Sequence, residues 1–126
     1  VSYAICNIVC GAEIPDRVRS YLDEIDGDYQ DAGFKTLYSG SGDTPAYSGI
    51  ILSKFDECNN MRAAQLIPRL TANENQMNQA RQALAATRER FQELLTEDEE
   101  TSDEEKKELL DTLPQNPEVL LIWSSS

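Results

Sequence analysis

The segment FKTLYSGSGDTPAYSGIILSKFD, Phe34 to Asp56, decides the fold. Its first part alternates, with Phe34, Thr36 and Tyr38 on one face and Lys35 and Leu37 on the other, which predicts a strand. Its last part, Pro45–Asp56, centres on Ile50, Ile51 and Leu52 and predicts a second one. Six residues, Ser39–Thr44, separate the two. Two strands flanking a short Gly-rich connection predict a β-hairpin. Strands on both sides also exclude a free linker.

Upstream, Ser2–Cys10 is an almost continuous apolar run that stops at Gly11. Such a run predicts a central strand covered on both faces. Pro15 suits the first turn of a helix, expected over Ile14–Ile25, with Val18, Tyr21, Leu22 and Ile25 as its apolar stripe. Downstream, the pattern turns helical from Asn59 and is interrupted by Pro68. Thr71 and Glu74 have capping-box spacing, so a long helix is expected from about Ala72 to Leu95. Leu70, Met77, Leu84 and Phe91 form its seam, seven residues apart, with Asn73, Ala80, Thr87 and Leu94 between them. Small residues there allow close packing, inside the chain or against a second copy. Ser102 and Glu105 repeat the capping-box spacing and predict a short helix over Asp103–Leu113. Val119–Trp123 is apolar on both faces and should join the same sheet as the first strand. The order β-α-β-β-α-α-β predicts one α+β domain over residues 1–126. Its parts are a small mixed sheet (N-terminal strand, central hairpin, C-terminal strand) and an attached helical hairpin.

A net charge of −12 argues against DNA, RNA or an anionic membrane as partner, since those surfaces repel the protein. A cationic protein or a small anion held by local arginines remains. No apolar run reaches membrane-spanning length, and the N-terminal run has no basic segment before it, so a cytoplasmic location is expected. Cys6, Cys10 and Cys58 show no Cys-x-x-Cys spacing. Cys6 and Cys10 lie on one strand face with Cα atoms ~13 Å apart. That separation is too long for a disulfide. Histidine is absent, which removes Ser-His-Asp and Cys-His nucleophile arrangements and the usual zinc ligands.

Ser39, Gly40, Ser41 and Gly42 could form a nest of backbone N–H groups for an anion. Neither a Walker A loop nor a dinucleotide fingerprint is present, because no Gly-Lys-Ser/Thr or helix follows. Tyr38 and Tyr47 bracket the segment and could stack a nucleobase. Seven of the eleven basic residues are arginines, and Arg62, Arg69, Arg81, Arg88 and Arg90 lie in the helical half. Arginine forks pair with phosphate, although pairing with Glu and Asp on the same helices is the plainer alternative.

The stretches YAICNIV (Tyr3–Val9) and GFKTLYSGSGDTPAYSGI (Gly33–Ile50), with the helical half behind them, resemble the anti-Thoeris sponge proteins of bacteriophages. The Tyr-Ser-Gly-Ser-Gly-Asp block, Tyr38–Asp43, is the most specific part of the likeness. The resemblance implies a non-enzymatic, cofactor-free immune-evasion protein that sequesters a glycocyclic ADP-ribose-type messenger in the host cytoplasm. It also implies oligomers built from dimers, with cyclic di- or trinucleotides at a separate site in some members. The expected site residues are Tyr38, Ser39, Gly40, Ser41, Gly42, Asp43 and Tyr47, with Arg62 or Arg69 on phosphate. Asn7 or Asn75 would read a ribose or base edge. The nine carboxylates between Glu97 and Asp111 support an alternative, an acidic DNA mimic that inhibits a host defence nuclease. A metal-dependent phosphodiesterase using Asp43 is a third reading, lacking a second carboxylate at ligand spacing.

Overall fold

The computed structural model describes residues 4–37, 45–56 and 71–125. These form strand β1 (Ala4–Glu13), helix α1 (Asp16–Glu24), strands β2 (Lys35–Thr36) and β3 (Ala46–Asp56), helices α2 (Glu74–Glu97) and α3 (Asp103–Thr112), and strand β4 (Glu118–Ser125). The strand order is β2-β3-β1-β4. Every described pairing is antiparallel, where a mixed sheet was expected. The α+β class and the hairpin of β2 with β3 are as expected. The Gly-rich connection, residues 38–44, lies outside the described residues.

β1 is buried from Cys6 to Ala12, which explains its unbroken apolar sequence. It does not stop at Gly11 but runs two residues further. Gly11 is paired with Gly49 on β3, and the two backbones meet closely there. A Cβ on Gly11 would lie 1.9 Å from the Ser48 carbonyl oxygen. One on Gly49 would lie 2.2 Å from that of Cys10, at a φ of +139°. The glycine that reads as a stop is a contact only glycine permits. β3 also carries one extra residue, Leu52, because the register passes from Ile8–Ser53 to Val9–Ile51. A bulge and a glycine pair both bend a sheet. The Asn7 amide donates to the Tyr47 hydroxyl at 3.4 Å, yet Tyr47 is in register with Glu13. Six residues of flat strand span about 20 Å, more than a tyrosine bridges, so the sheet coils over this face.

Helices α1, α2 and α3 share one core with Ile14, Phe34 and Ala46. Phe91 is fully buried and meets Tyr21 edge-on, ring centroids 6.0 Å apart. Val18 and Leu22 of α1, Leu95 of α2 and Leu109 of α3 complete it. Each such side chain contributes about 1.5–3 kcal/mol on burial. A second cluster, Val9, Leu37, Tyr47 and Ile122, forms separately.

α2 begins two residues later than expected. Its capping box is Asn73 with Gln76: the Gln76 N–H donates to Asn73 Oδ1 at 2.8 Å, and the Asn73 N–H to Gln76 Oε1 at 3.0 Å. Asn caps as well as Thr, and this choice sets Glu74 in the first turn, at the positive end of the helix dipole. The buried residues of α2 are Ala80, Leu84, Thr87, Phe91 and Leu95. Half-buried Met77 rests its sulfur 3.5 Å from Cys10 Sγ. Between Met77 and Phe91 the seam is therefore occupied by the chain's own sheet and by α1. Leu70 lies outside the described residues. Ser102 caps α3 as expected, accepting from the Glu105 N–H.

Asp98 joins α2 to α3. Its carboxylate accepts from the Tyr21 and Thr101 hydroxyls and from the N–H groups of Glu100 and Thr101. Its carbonyl accepts from Lys106 Nζ. The Thr101 and Tyr21 hydroxyls, in that order, hold the Asp98 carboxyl well below the usual carboxylate range. Tyr21 is raised above the ordinary phenol value, first by burial and then by Asp98. One carboxylate of the acidic run is thus a structural hub, and Glu108 pairs with Arg17 at 2.5 Å.

Candidate functional site

β2 pairs with β3 over two residues only, Lys35 with Tyr47 and Thr36 with Ala46. At Gly33, with φ +97°, the chain turns away from β3 and approaches α2. A Cβ on Gly33 would meet Thr87 Cα at 3.1 Å and Arg90 Cβ at 3.2 Å. This divergence leaves a groove of about 330 Å³ between the sheet edge and α2, lined by Gly33, Lys35, Ser48, Gly49, Ala83, Ala86, Thr87 and Arg90.

Hydroxyls tie the floor together. Ser48 Oγ and Thr87 Oγ1 lie 2.6 Å apart. Thr87 Oγ1 is 3.1 Å from the Gly33 carbonyl oxygen and 3.0 Å from that of Ala83. Ser48 Oγ also lies 3.3 Å from the Ala83 oxygen. Two hydroxyl protons are shared among these acceptors, fastening β3, the Gly33 turn and α2 to one another. The walls are glycine and alanine, so a ligand can approach backbone. Lys35 Nζ donates to the Gly49 carbonyl at 2.9 Å. Arg90 Nη1 pairs with Glu93 Oε2 at 2.8 Å, with both side chains about half exposed, 48% and 58%. The lining thus holds two cations, one from the sheet and one from the helix, and no carboxylate.

Of three further cavities, two differ in charge and the third shares a pair of cations without a carboxylate. One of about 410 Å³ carries Glu13 and Glu118 and no cation. One of about 380 Å³ sets Asp103 beside Lys106 and Lys107. One of about 260 Å³ carries Arg81 and Arg88. There, Arg88 Nη1 is committed to the Leu110 carbonyl at 2.6 Å, closing the end of α3, and Arg81 to Asn78 Oδ1 at 3.0 Å. Of the arginines in the helical half, Arg90 follows the expected pairing with a carboxylate on its own helix.

The sequence-derived site residues separate. Tyr38, Ser39, Gly40, Ser41, Gly42, Asp43, Arg62 and Arg69 lie outside the described residues. Leu37 and Pro45 close the base of the Gly-rich segment through a backbone hydrogen bond of 3.1 Å. That base begins two strand residues, about 7 Å, from Lys35. Tyr47 and Asn7 do come together, but as core. Tyr47 is 2% exposed and Asn7 4%. Both are buried and Asn7 Nδ2 donates to the Tyr47 hydroxyl, so neither offers a ligand a stacking face or an open edge. Asn75 is exposed in the first turn of α2.

Lys35, Ser48, Thr87 and Arg90 are the residues missed as a set. Their only sequence signal is small residues, Ala83 and Ala86, two turns and one turn before Arg90. The buried thiols Cys6 and Cys10 are free, and burial pushes both up, with Arg81 partly offsetting it at Cys10. Among the described residues no cluster of three or more Cys, Asp or Glu could hold a metal ion, and no helix is long and apolar enough to cross a membrane. No family model, curated protein or solved structure matches this chain.

Proposed function

We propose that the chain is a non-enzymatic binder that sequesters a small phosphorylated nucleotide of the cyclic ADP-ribose type, with the Lys35–Arg90 groove as its phosphate-holding part. The carrying observation is the pair of cations on a carboxylate-free, small-residue groove, in a protein of net charge −12. A compact anion reaches such a groove, whereas a long polyanion meets the acidic surface around it. About 330 Å³ is at the small end of ligand sites and suits a ribose–phosphate portion. The base of the Gly-rich segment lies beside Lys35, where the rest of a nucleotide would extend.

Binding exchanges weak partners for strong ones. The exposed Arg90–Glu93 pair is worth about 0–1 kcal/mol. A charge-assisted fork on phosphate is stronger. Sequestration in a bacterial cytoplasm is the role that the resemblance of Tyr38–Asp43 implies, and it fits a site that holds without reacting.

Calorimetric titration with cyclic ADP-ribose and linear ADP-ribose, followed by denaturation and recovery of the ligand, tests this. Saturable binding with intact ligand recovered is expected. Lys35→Ala and Arg90→Ala should each weaken it by roughly 10- to 100-fold, the loss of one charge-assisted hydrogen bond. A converted ligand would make the protein an enzyme. Binding untouched by both substitutions would remove the groove from the account.

A further inference from the structure

The cavity of about 410 Å³ lies where β1 and β4 part, at the Glu118 end of β4. Gly11 is in register with Glu118 and carries no side chain. Glu13 lies two residues further along β1, a diagonal separation of about 7–8 Å from Glu118. The two carboxylates therefore flank bare backbone, with Pro114 and half-buried Leu120 as apolar wall. Both are exposed, and neither has an ion pair or hydrogen bond among the described residues. In this they differ from Glu93, Asp98 and Glu108, each of which has a partner. The strand beside this cavity is an open edge. β4, Glu118–Ser125, pairs with β1 and with no other described strand, and it includes no proline, lysine or arginine, the residues that block strand addition. Trp123, near its other end, is 51% exposed.

The geometry points to β4 and the Glu13–Glu118 cavity as the docking site for an extended, basic segment of another protein, added to the sheet as a further strand. Main-chain hydrogen bonds to the outward groups of β4 supply the affinity, and side chains supply the choice of partner. Charge selects the occupant. A net charge of −12 draws in a cationic segment and repels an acidic one, a second copy included. A lysine or arginine opposite Glu118 lays its alkyl stem across Leu120 and sets its cation between the two carboxylates. A second basic side chain, opposite Trp123, places its cation over the exposed indole. Glu118 and Trp123 are five residues apart in the strand, so they stand on opposite faces. The segment therefore carries its two basic residues five apart, whichever direction it runs. None of these residues lines the Lys35–Arg90 groove, so the proposal is independent of the ligand reading.

Three blocked peptides of threonine and valine, titrated calorimetrically into the whole chain, test it. The first carries two arginines five residues apart, the second carries them four apart and so on one face, and the third carries glutamates five apart. The first should bind saturably, about five-fold or more tighter than the second, and the third should not bind. Glu13→Gln and Glu118→Gln should each weaken the first by about five-fold, the worth of one exposed ion pair. In the unaltered chain, hydrogen exchange at the outward β4 amides should slow when the first peptide is added, a readout that does not depend on a variant folding. No binding of the first peptide at millimolar concentration, equal binding of the first two, or binding that leaves β4 exchange unchanged would overturn the proposal. So would outward β4 amides already protected without peptide: the chain covers its own edge if that protection is constant, and a second copy does if it grows with protein concentration.

Discussion

Replacing Thr87 by valine removes one hydroxyl while keeping the shape of the side chain. Thr87 Oγ1 sits 2.6 Å from Ser48 Oγ and about equally near the Gly33 and Ala83 carbonyls. Two hydroxyl protons serve this group, so the change removes two hydrogen bonds: the Ser48–Thr87 link and the one Thr87 donates or shares. At about 1 kcal/mol each, with a buried acceptor left short, the gross loss is about 1–3 kcal/mol. The added methyl returns up to ~0.8 kcal/mol. Ser48 keeps the Ala83 oxygen at 3.3 Å as a second partner, which limits the damage further. The net expectation is a loss of about 1–2 kcal/mol, or roughly 3–10 °C in Tm for a chain of this length. Urea denaturation of Ser48→Ala, Thr87→Val and the double variant measures it. A coupling energy of about 0.5 kcal/mol or more is expected between the two sites. A loss below about 0.5 kcal/mol with no coupling would show that the groove floor is held by packing and not by these hydroxyls.

Other expectations follow from single contacts. Asp98 is held low in the folded state, so its contribution is present above the unfolded carboxylate value of about 3.9 and is lost as pH falls below it. Thermal melts from neutral to acid pH should show Asp98→Asn less stable near neutrality and with a shallower acid slope; equal slopes would contradict the hub. Gly49→Ala must fit a Cβ 2.2 Å from the Cys10 oxygen at positive φ, and should cost about 3 kcal/mol or more by denaturation or abolish soluble expression. Arg88→Lys keeps the charge but shortens the reach to the Leu110 carbonyl. It should cost about 0.5–1.5 kcal/mol and speed amide exchange in α3 selectively.

What was legible in the sequence followed strong periodicity. The β1 run, Val18, Tyr21 and Leu22 of the α1 stripe and the Leu84–Phe91 repeat lie where their patterns put them, because burial dictated each; Ile25, expected to end the α1 stripe, is instead exposed at the helix C-cap. Boundaries failed where two residues could do one job. Thr71 and Glu74 have the capping-box spacing, yet Asn73 and Gln76 form the box. Gly11 read as an end because its partner, Gly49, is distant in sequence. Tyr47 read as a stacking residue because a tyrosine beside a Gly-rich loop looks exposed, while strand register and sheet coiling put it in the core with Asn7. The groove was illegible for a different reason. Its walls are defined by missing side chains at Gly33, Gly49, Ala83 and Ala86, brought together only by the turn at Gly33 and the packing of α2. The most specific part of the resemblance, Tyr38–Asp43, lies outside the described residues.

The most direct test of the groove is an NMR titration of isotopically labelled protein with cyclic ADP-ribose. Gly33, Lys35, Gly49 and Arg90 should show the largest amide shifts, saturating together, with Arg90 Nε–H shifting as it leaves Glu93. No shift at these four residues, or saturating shifts confined to another part of the molecule, would contradict a phosphate-holding groove between the sheet edge and α2.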